Sequence, residues 1–77
     1  MNFATYEILG GDLTNVVKVK VYINMGGKKK EVTGHVYYIT NNRSKFVSDT
    51  KLSNDEAKLV KKALKDFNVQ EVYDVRK

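Results

Sequence analysis

The segment Val16–Thr40, VVKVKVYINMGGKKKEVTGHVYYIT, decides how this chain folds. Its first half alternates apolar residues with lysine and tyrosine, and the alternation resumes after Met25-Gly26-Gly27. Side chains point alternately to the two faces of a β-strand. The segment is therefore predicted to be a β-hairpin with one apolar face and one face of lysine, histidine and tyrosine.

The two glycines predict the register of this hairpin. Gly26 and Gly27 are typical central residues of a two-residue turn. The pairs that follow from this turn are Val21 with Val32, Val17 with Val36, Lys18 with His35 and Val19 with Gly34. A slip by one residue would set apolar side chains opposite polar ones. Gly34, on the apolar face, either marks a bulge or leaves room for a bulky side chain over the sheet.

The rest of the chain contains further strand patterns and one helix pattern. Beside the hairpin, whose first strand is predicted at Val16–Asn24, strands are predicted at Phe3–Leu9, Lys45–Ser48 and Val69–Val75, and turns at Gly10–Asn15 and Asn41–Ser44. A helix is predicted to begin at Ser53-Asn54-Asp55-Glu56, which has the pattern of a capping box, and to end near Asn68. Its apolar stripe comprises Ala57, Leu59, Val60, Ala63, Leu64 and Phe67.

These patterns predict one small α+β domain over residues 1–77. The architecture is an antiparallel sheet in the order β-β-β-(β)-α-β, with the helix packed on the apolar face and the opposite face in water. Spacing leaves open whether the last strand lies at an edge or between earlier strands.

Composition narrows the classes of function. The chain has no cysteine and a single histidine, so a disulfide, a thiolate metal site and a histidine cluster are excluded, and we expect no metal or cofactor. No signal-peptide pattern and no apolar run of membrane-spanning length is present, which predicts a cytoplasmic protein with no membrane partner. Fourteen basic against nine acidic residues leave a net charge of +5, which favours anionic partners.

Catalysis finds little support in the sequence. His35 has no cysteine partner and no serine in a recognisable nucleophile motif. Gly10-Gly11-Asp12 lacks the lysine and the following helix of a phosphate loop. The acidic residues are scattered, without a pair spaced for metal binding or glycoside hydrolysis. We therefore expect a protein that is not an enzyme.

The polar face of the hairpin is the leading candidate site, because single-stranded nucleic acid is held by aromatic rings that stack with bases among cations that contact phosphates. The residues predicted to contact phosphates are Lys18, Lys20, Arg43 and Lys45. Those predicted to stack with bases are Tyr22, His35 and Tyr37. Tyrosine and lysine are also ordinary residues of an exposed sheet, so this pattern alone does not distinguish the two roles.

The helix carries a second group of lysines, opposite its apolar stripe: Lys58, Lys61, Lys62 and Lys65. Their ordinary role is a solvated surface. A phosphate backbone or an acidic protein patch would also relieve their mutual repulsion.

Protein docking is the alternative function. Small cysteine-free domains of this style include adaptors and inhibitors from phages and mobile elements, which dock on a larger protein. Docking would use strand addition at a sheet edge, or a homodimer joining two sheets through the first or last strand. A core of this size supplies only about 3–5 kcal/mol of net stability, so association would stabilise it.

Overall fold

Five strands form a single sheet whose order follows the chain. The computed structural model describes residues 2–12, 15–40 and 42–74. Its elements are β1 (Phe3–Asp12), β2 (Val16–Met25), β3 (Lys28–Thr40), β4 (Arg43–Ser48), α1 (Asn54–Ala63), a 3₁₀ turn (Lys65–Phe67) and β5 (Val69–Asp74). β1 to β4 pair antiparallel, and β5 pairs parallel with β4 at the sheet edge. The predicted α+β class and element order are confirmed, and the position of the last strand is settled.

The hairpin has the predicted register. Val17 pairs with Val36, Lys18 with His35, and Val21 with Val32. Gly26 and Gly27 form the turn with φ of 60° and 81°, a left-handed conformation that side chains other than glycine rarely adopt at two successive positions. The apolar face of β2 is buried and its polar face is exposed, as the alternation predicts.

The predicted turn at Gly10–Asn15 is wrong for its first residues. Gly10 and Gly11 belong to β1, where they pair with Lys18 and Val17 after a bulge that follows Ile8. Glycine is typical of both turns and bulges, so the residue type alone did not separate them. The predicted turn at Asn41–Ser44 is likewise wrong for Arg43 and Ser44, which belong to β4. Leu13, Thr14, Asn41 and Val75, which the predicted turns and strand also include, lie outside the described residues.

The core lies between the sheet and α1. Its buried residues are Val17, Val19, Val21, Ile23, Val32, Val36, Phe46, Leu52, Val60, Leu64, Phe67 and Val69. α1 begins with the predicted capping box: Ser53 Oγ accepts a hydrogen bond from the Glu56 amide at 3.2 Å, and Glu56 Oε1 accepts one from the Ser53 amide at 2.8 Å. The helix therefore covers one face of the sheet from a defined starting point.

Gly34 provides room for a ring, the second of its two predicted roles. A Cβ at this position would lie 2.5 Å from Phe46 Cζ and would also contact the carbonyl oxygen of Val47. Phe46 is fully buried. β3 can therefore pack closely against the Phe46 ring of β4 because residue 34 has no side chain.

The connection from α1 to β5 is held by Ser44 and Asn68. The buried hydroxyl of Ser44 donates a hydrogen bond of 2.6 Å to the carbonyl oxygen of Phe67. The helix ends earlier than predicted: α1 stops at Ala63, and it is the 3₁₀ turn Lys65–Phe67 that ends at Asn68, which has the left-handed conformation with φ of 58°. These two residues direct the chain from the helix into β5.

Candidate functional site

The sheet face opposite α1, here called the outer face, carries all seven predicted site residues. Along β2, β3 and β4 buried side chains alternate with more exposed ones, and the seven predicted residues are among the more exposed ones. They are Lys18, Lys20, Tyr22, His35, Tyr37, Arg43 and Lys45. No described helix covers this face, since α1 packs against the opposite, buried face of the sheet.

Strand pairing brings a subset of these side chains together. Lys18, His35, Val47 and Tyr73 form one row across four strands, and Tyr37 and Lys45 are paired in the next row. We call these six residues the central patch. The His35 and Tyr37 rings lie 6.1 Å apart between centroids and are tilted by 38°. Lys45 Nζ lies 5.9 Å from the centre of the Tyr37 ring, within the range of a cation–π contact.

Tyr22 does not belong to the central patch. It pairs with Glu31, six residues along β2 from the Val16–Tyr37 pair, a separation of about 20 Å at about 3.3 Å per residue. Its hydroxyl donates a hydrogen bond of 2.7 Å to Glu7 Oε1, and this bond raises the pKa of Tyr22. With Phe3, it lines a separate shallow cavity of about 280 Å³ near the hairpin turn.

Carboxylates on the outer face pair with two of the predicted cations. Lys20 Nζ lies 3.6 Å from Glu31 Oε1, and Arg43 Nη2 lies 3.6 Å from Glu71 Oε2. Such exposed pairs are worth about 0–1 kcal/mol and can exchange for another anion. Lys18 has no carboxylate partner among the described side chains, nor has Lys45. Lys18 and Lys45 are therefore cations of the central patch without an ion pair, and Glu71, the β5 neighbour of Lys45, is the carboxylate beside them.

Sequence reasoning missed Tyr73 and Val47. Tyr73 is 48% exposed, and Glu71 raises its pKa through its negative charge and a hydrogen bond. Alternation within β5, where Val72 packs against the core, could have placed Tyr73 on the outer face. Its position beside Val47, in the same row as His35, depends on the parallel pairing of β5, for which the residue pattern gives no signal.

The remaining structural and comparative findings name no activity. In the described part of the chain, no three or more His, Asp or Glu side chains cluster to hold a metal ion. Of the described helices, none has the length and hydrophobicity needed to cross a membrane. No protein-family model matches the sequence, and searches of curated proteins and of solved structures find no similar protein.

Proposed function

We propose that this protein is a non-catalytic domain that binds single-stranded nucleic acid on its outer face. One observation carries the proposal: the rings of His35, Tyr37 and Tyr73 lie on an uncovered sheet face beside Lys18 and Lys45, which lack carboxylate partners among the described residues. Stacking rings next to free cations are what a flexible anionic strand of bases requires.

In this proposal, the position of each predicted residue on the outer face decides whether it contacts a base or a phosphate. Tyr37 and His35 stack with bases, and Tyr73 extends this surface onto β5. Lys18 and Lys45 contact phosphates directly. Lys20 and Arg43 contribute after exchanging their carboxylate partners for phosphates, and Tyr22 stacks with a base farther along the same strand.

A single strand suits this surface better than a duplex. Base faces are hidden in a duplex, whereas unpaired bases can lie flat on aromatic side chains. Stacking of this kind contributes about 1–3 kcal/mol per base and tolerates any base. The proposal therefore includes little sequence preference and fits a cytoplasmic protein that encounters DNA or RNA.

Fluorescence anisotropy with labelled oligo-dT and oligo-U of about 15 nucleotides, and with a blunt duplex of matching length, tests this proposal. We expect the single strands to bind more tightly than the duplex. Affinity should fall as salt rises, with a log–log slope of about −0.7 for each phosphate neutralised. Absence of binding at low salt, or equal binding of the duplex, would refute the proposal.

Protein docking is the second candidate function, and the exposed apolar side chains of the edge strand β1 favour it. Phe3, Ile8 and Leu9 are each more than two-fifths exposed. A homodimer through this edge is one form of docking, and light scattering on a size-exclusion column tests it. A monomer at high micromolar concentration would remove the homodimer.

A further inference from the structure

β1 is an edge strand with little protection against pairing. It pairs only with β2 among the described strands, so one side of its backbone is open. Natural sheet edges are usually guarded by lysine, proline or a bulge. From Phe3 to Leu9 the strand has one charged residue, Glu7, and its bulge comes only after Ile8. The other edge, β5, is shorter and carries Glu71 and Asp74.

A groove of about 290 Å³ runs between this edge and α1. Apolar atoms of Ala4, Leu59 and Ala63 line it, and all three side chains are partly buried. The start of β1 is anchored beside the hairpin turn, because Asn2 Oδ1 accepts a hydrogen bond of 3.0 Å from the Gly26 amide. The groove therefore combines an ordered strand edge with a small apolar floor.

Lysines border the groove on the helix side. Lys62 and Lys65 line it and are exposed, and neither has a carboxylate partner among the described residues. Lys58 and Lys61 lie on the same helix and are also exposed. The nearby carboxylate of Asp66 accepts a hydrogen bond of 3.2 Å from the Tyr6 hydroxyl. Asp66 keeps its negative charge in this bond, but the four lysines outnumber it, so the local charge is positive beside an open strand.

We propose that this groove binds an extended acidic segment of another protein, which adds to the sheet as a strand beside β1. Its backbone pairs with the open side of β1. Glutamate side chains that point toward α1 lay their methylene groups on Leu59 and Ala63 and bring their carboxylates to Lys62 and Lys65. This proposal rests on protein docking, the second candidate function, and is independent of nucleic-acid binding on the outer face.

The charge pattern favours an acidic segment over a second copy of this chain. Antiparallel pairing of two β1 strands about a two-fold axis would place both α1 helices on the same side of the joined sheet. Lys62 and Lys65 of the two copies would then approach each other, and like charges at an interface weaken it. A nucleic acid lacks the regular peptide groups that pair with a strand edge, and Phe3 is the single ring among the described residues that line the groove.

Two synthetic peptides test the proposal, one alternating glutamate with valine and one alternating lysine with valine, each about ten residues long to match β1. Fluorescence anisotropy measures binding, and amide hydrogen exchange locates it. We expect the glutamate peptide to bind at least about tenfold more tightly than the lysine peptide. It should slow exchange in β1 and leave the central patch unchanged.

The double variant Lys62→Glu/Lys65→Glu should weaken binding of the glutamate peptide by about tenfold or more. The matched control is Lys28→Glu/Lys29→Glu, which changes net charge equally at two lysines that do not line the groove and should keep most of the affinity. Equal loss in both variants, no binding of the glutamate peptide, or protection outside β1 would overturn the proposal. Protection of β1 in the free protein, together with a dimeric mass, would assign the edge to a second copy.

Competition at β1 by oligo-dT would assign the lysines to phosphates and would also overturn the proposal. Binding of oligo-dT to the outer face, measured with Tyr37→Ala, is a separate readout. If the glutamate peptide does not bind, the proposal of nucleic-acid binding on the outer face is unaffected. If oligo-dT does not bind, the proposal for the groove is unaffected.

Discussion

The Phe46 ring on β4 occupies the space that a side chain at position 34 of β3 would fill. The two residues lie on the buried face of adjacent strands. Glycine is normally unfavourable within a strand, because it has no side chain to pack and loses more backbone entropy. Here that cost is offset by a large ring that is completely removed from water.

Gly34→Ala should destabilise the protein by about 1–3 kcal/mol, because the added methyl group overlaps both the carbonyl oxygen of Val47 and the Phe46 ring. Urea unfolding followed by circular dichroism measures the change. In a double-mutant cycle, Phe46→Leu should relieve part of the cost of Gly34→Ala. Additive losses from the two substitutions would show that the ring and the glycine are not coupled.

Ser44→Ala should cost about 1–3 kcal/mol of unfolding free energy, because it leaves the Phe67 carbonyl oxygen without its buried donor. Ser44→Thr retains the hydroxyl but adds a methyl group in a buried position, so it distinguishes the loss of the hydrogen bond from crowding. Chemical unfolding of both variants provides the comparison. Unchanged stability of Ser44→Ala would mean that the bond contributes nothing net.

Glu56 should make stability sensitive to acid. Hydrogen bonds from the Ser53 amide and from Lys30 hold the pKa of Glu56 below its ordinary value of 4.5. The folded protein therefore retains the carboxylate at a pH where the unfolded chain binds a proton. The stabilisation is present above the unfolded pKa and is lost as pH falls through the folded pKa.

Glu56→Gln should accordingly lower the unfolding free energy by about 1 kcal/mol at neutral pH, and the difference from the parent should shrink in acid. Thermal unfolding at several pH values between neutral and strongly acidic measures this. Asp55→Asn removes a neighbouring carboxylate of the same helical turn without breaking the capping box, and should cost less. A difference that is constant across pH would count against the role given to Glu56.

Tyr37→Ala should weaken binding of oligo-dT by about 5- to 150-fold, corresponding to the loss of about 1–3 kcal/mol of stacking. Tyr37→Phe retains the ring and should retain the affinity. Tyr22→Ala removes an equally exposed tyrosine outside the central patch, so its effect should be smaller. An equal loss in both alanine variants would show that binding is not centred on the central patch.

Lys18→Ala and Lys45→Ala should each reduce the salt dependence of oligo-dT binding by the slope of one phosphate, about 0.7. Lys61→Ala, on the exposed side of α1, provides a control with the same loss of charge. Titrations at salt concentrations of about 50 to 200 mM measure the slope. The same change in slope for Lys61→Ala would indicate nonspecific attraction.

Alternation made the central hairpin predictable. Val17, Val21, Val32 and Val36 match across the two strands in only one register, and the turn glycines select the same register. The capping box likewise contains both of its partners within four residues, so Ser53 and Glu56 predict the start of α1 locally. Patterns of this kind predict structure because the residues that interact are close together in the sequence.

Long-range pairing was not predictable in the same way. Alternation tells which face a side chain occupies but not which strand lies beside it, so the sequence did not predict the place of β5 or the position of Tyr73 next to Val47 in the central patch. The pairing of Glu31 with Lys20 and of Glu71 with Arg43 depends on the same neighbours. The site residues were thus found individually, while their grouping required the sheet.

The strands lie in the sheet in the same order as in the sequence, and this order affects how the protein folds during its synthesis. Each of β2, β3 and β4 pairs antiparallel with the strand that precedes it in the sequence, so each can form a hairpin as soon as the ribosome has released it. Only the parallel strand must wait, because it reaches its neighbour through a helical crossover. We therefore expect the meander to assemble stepwise during synthesis and the crossover to complete the domain last.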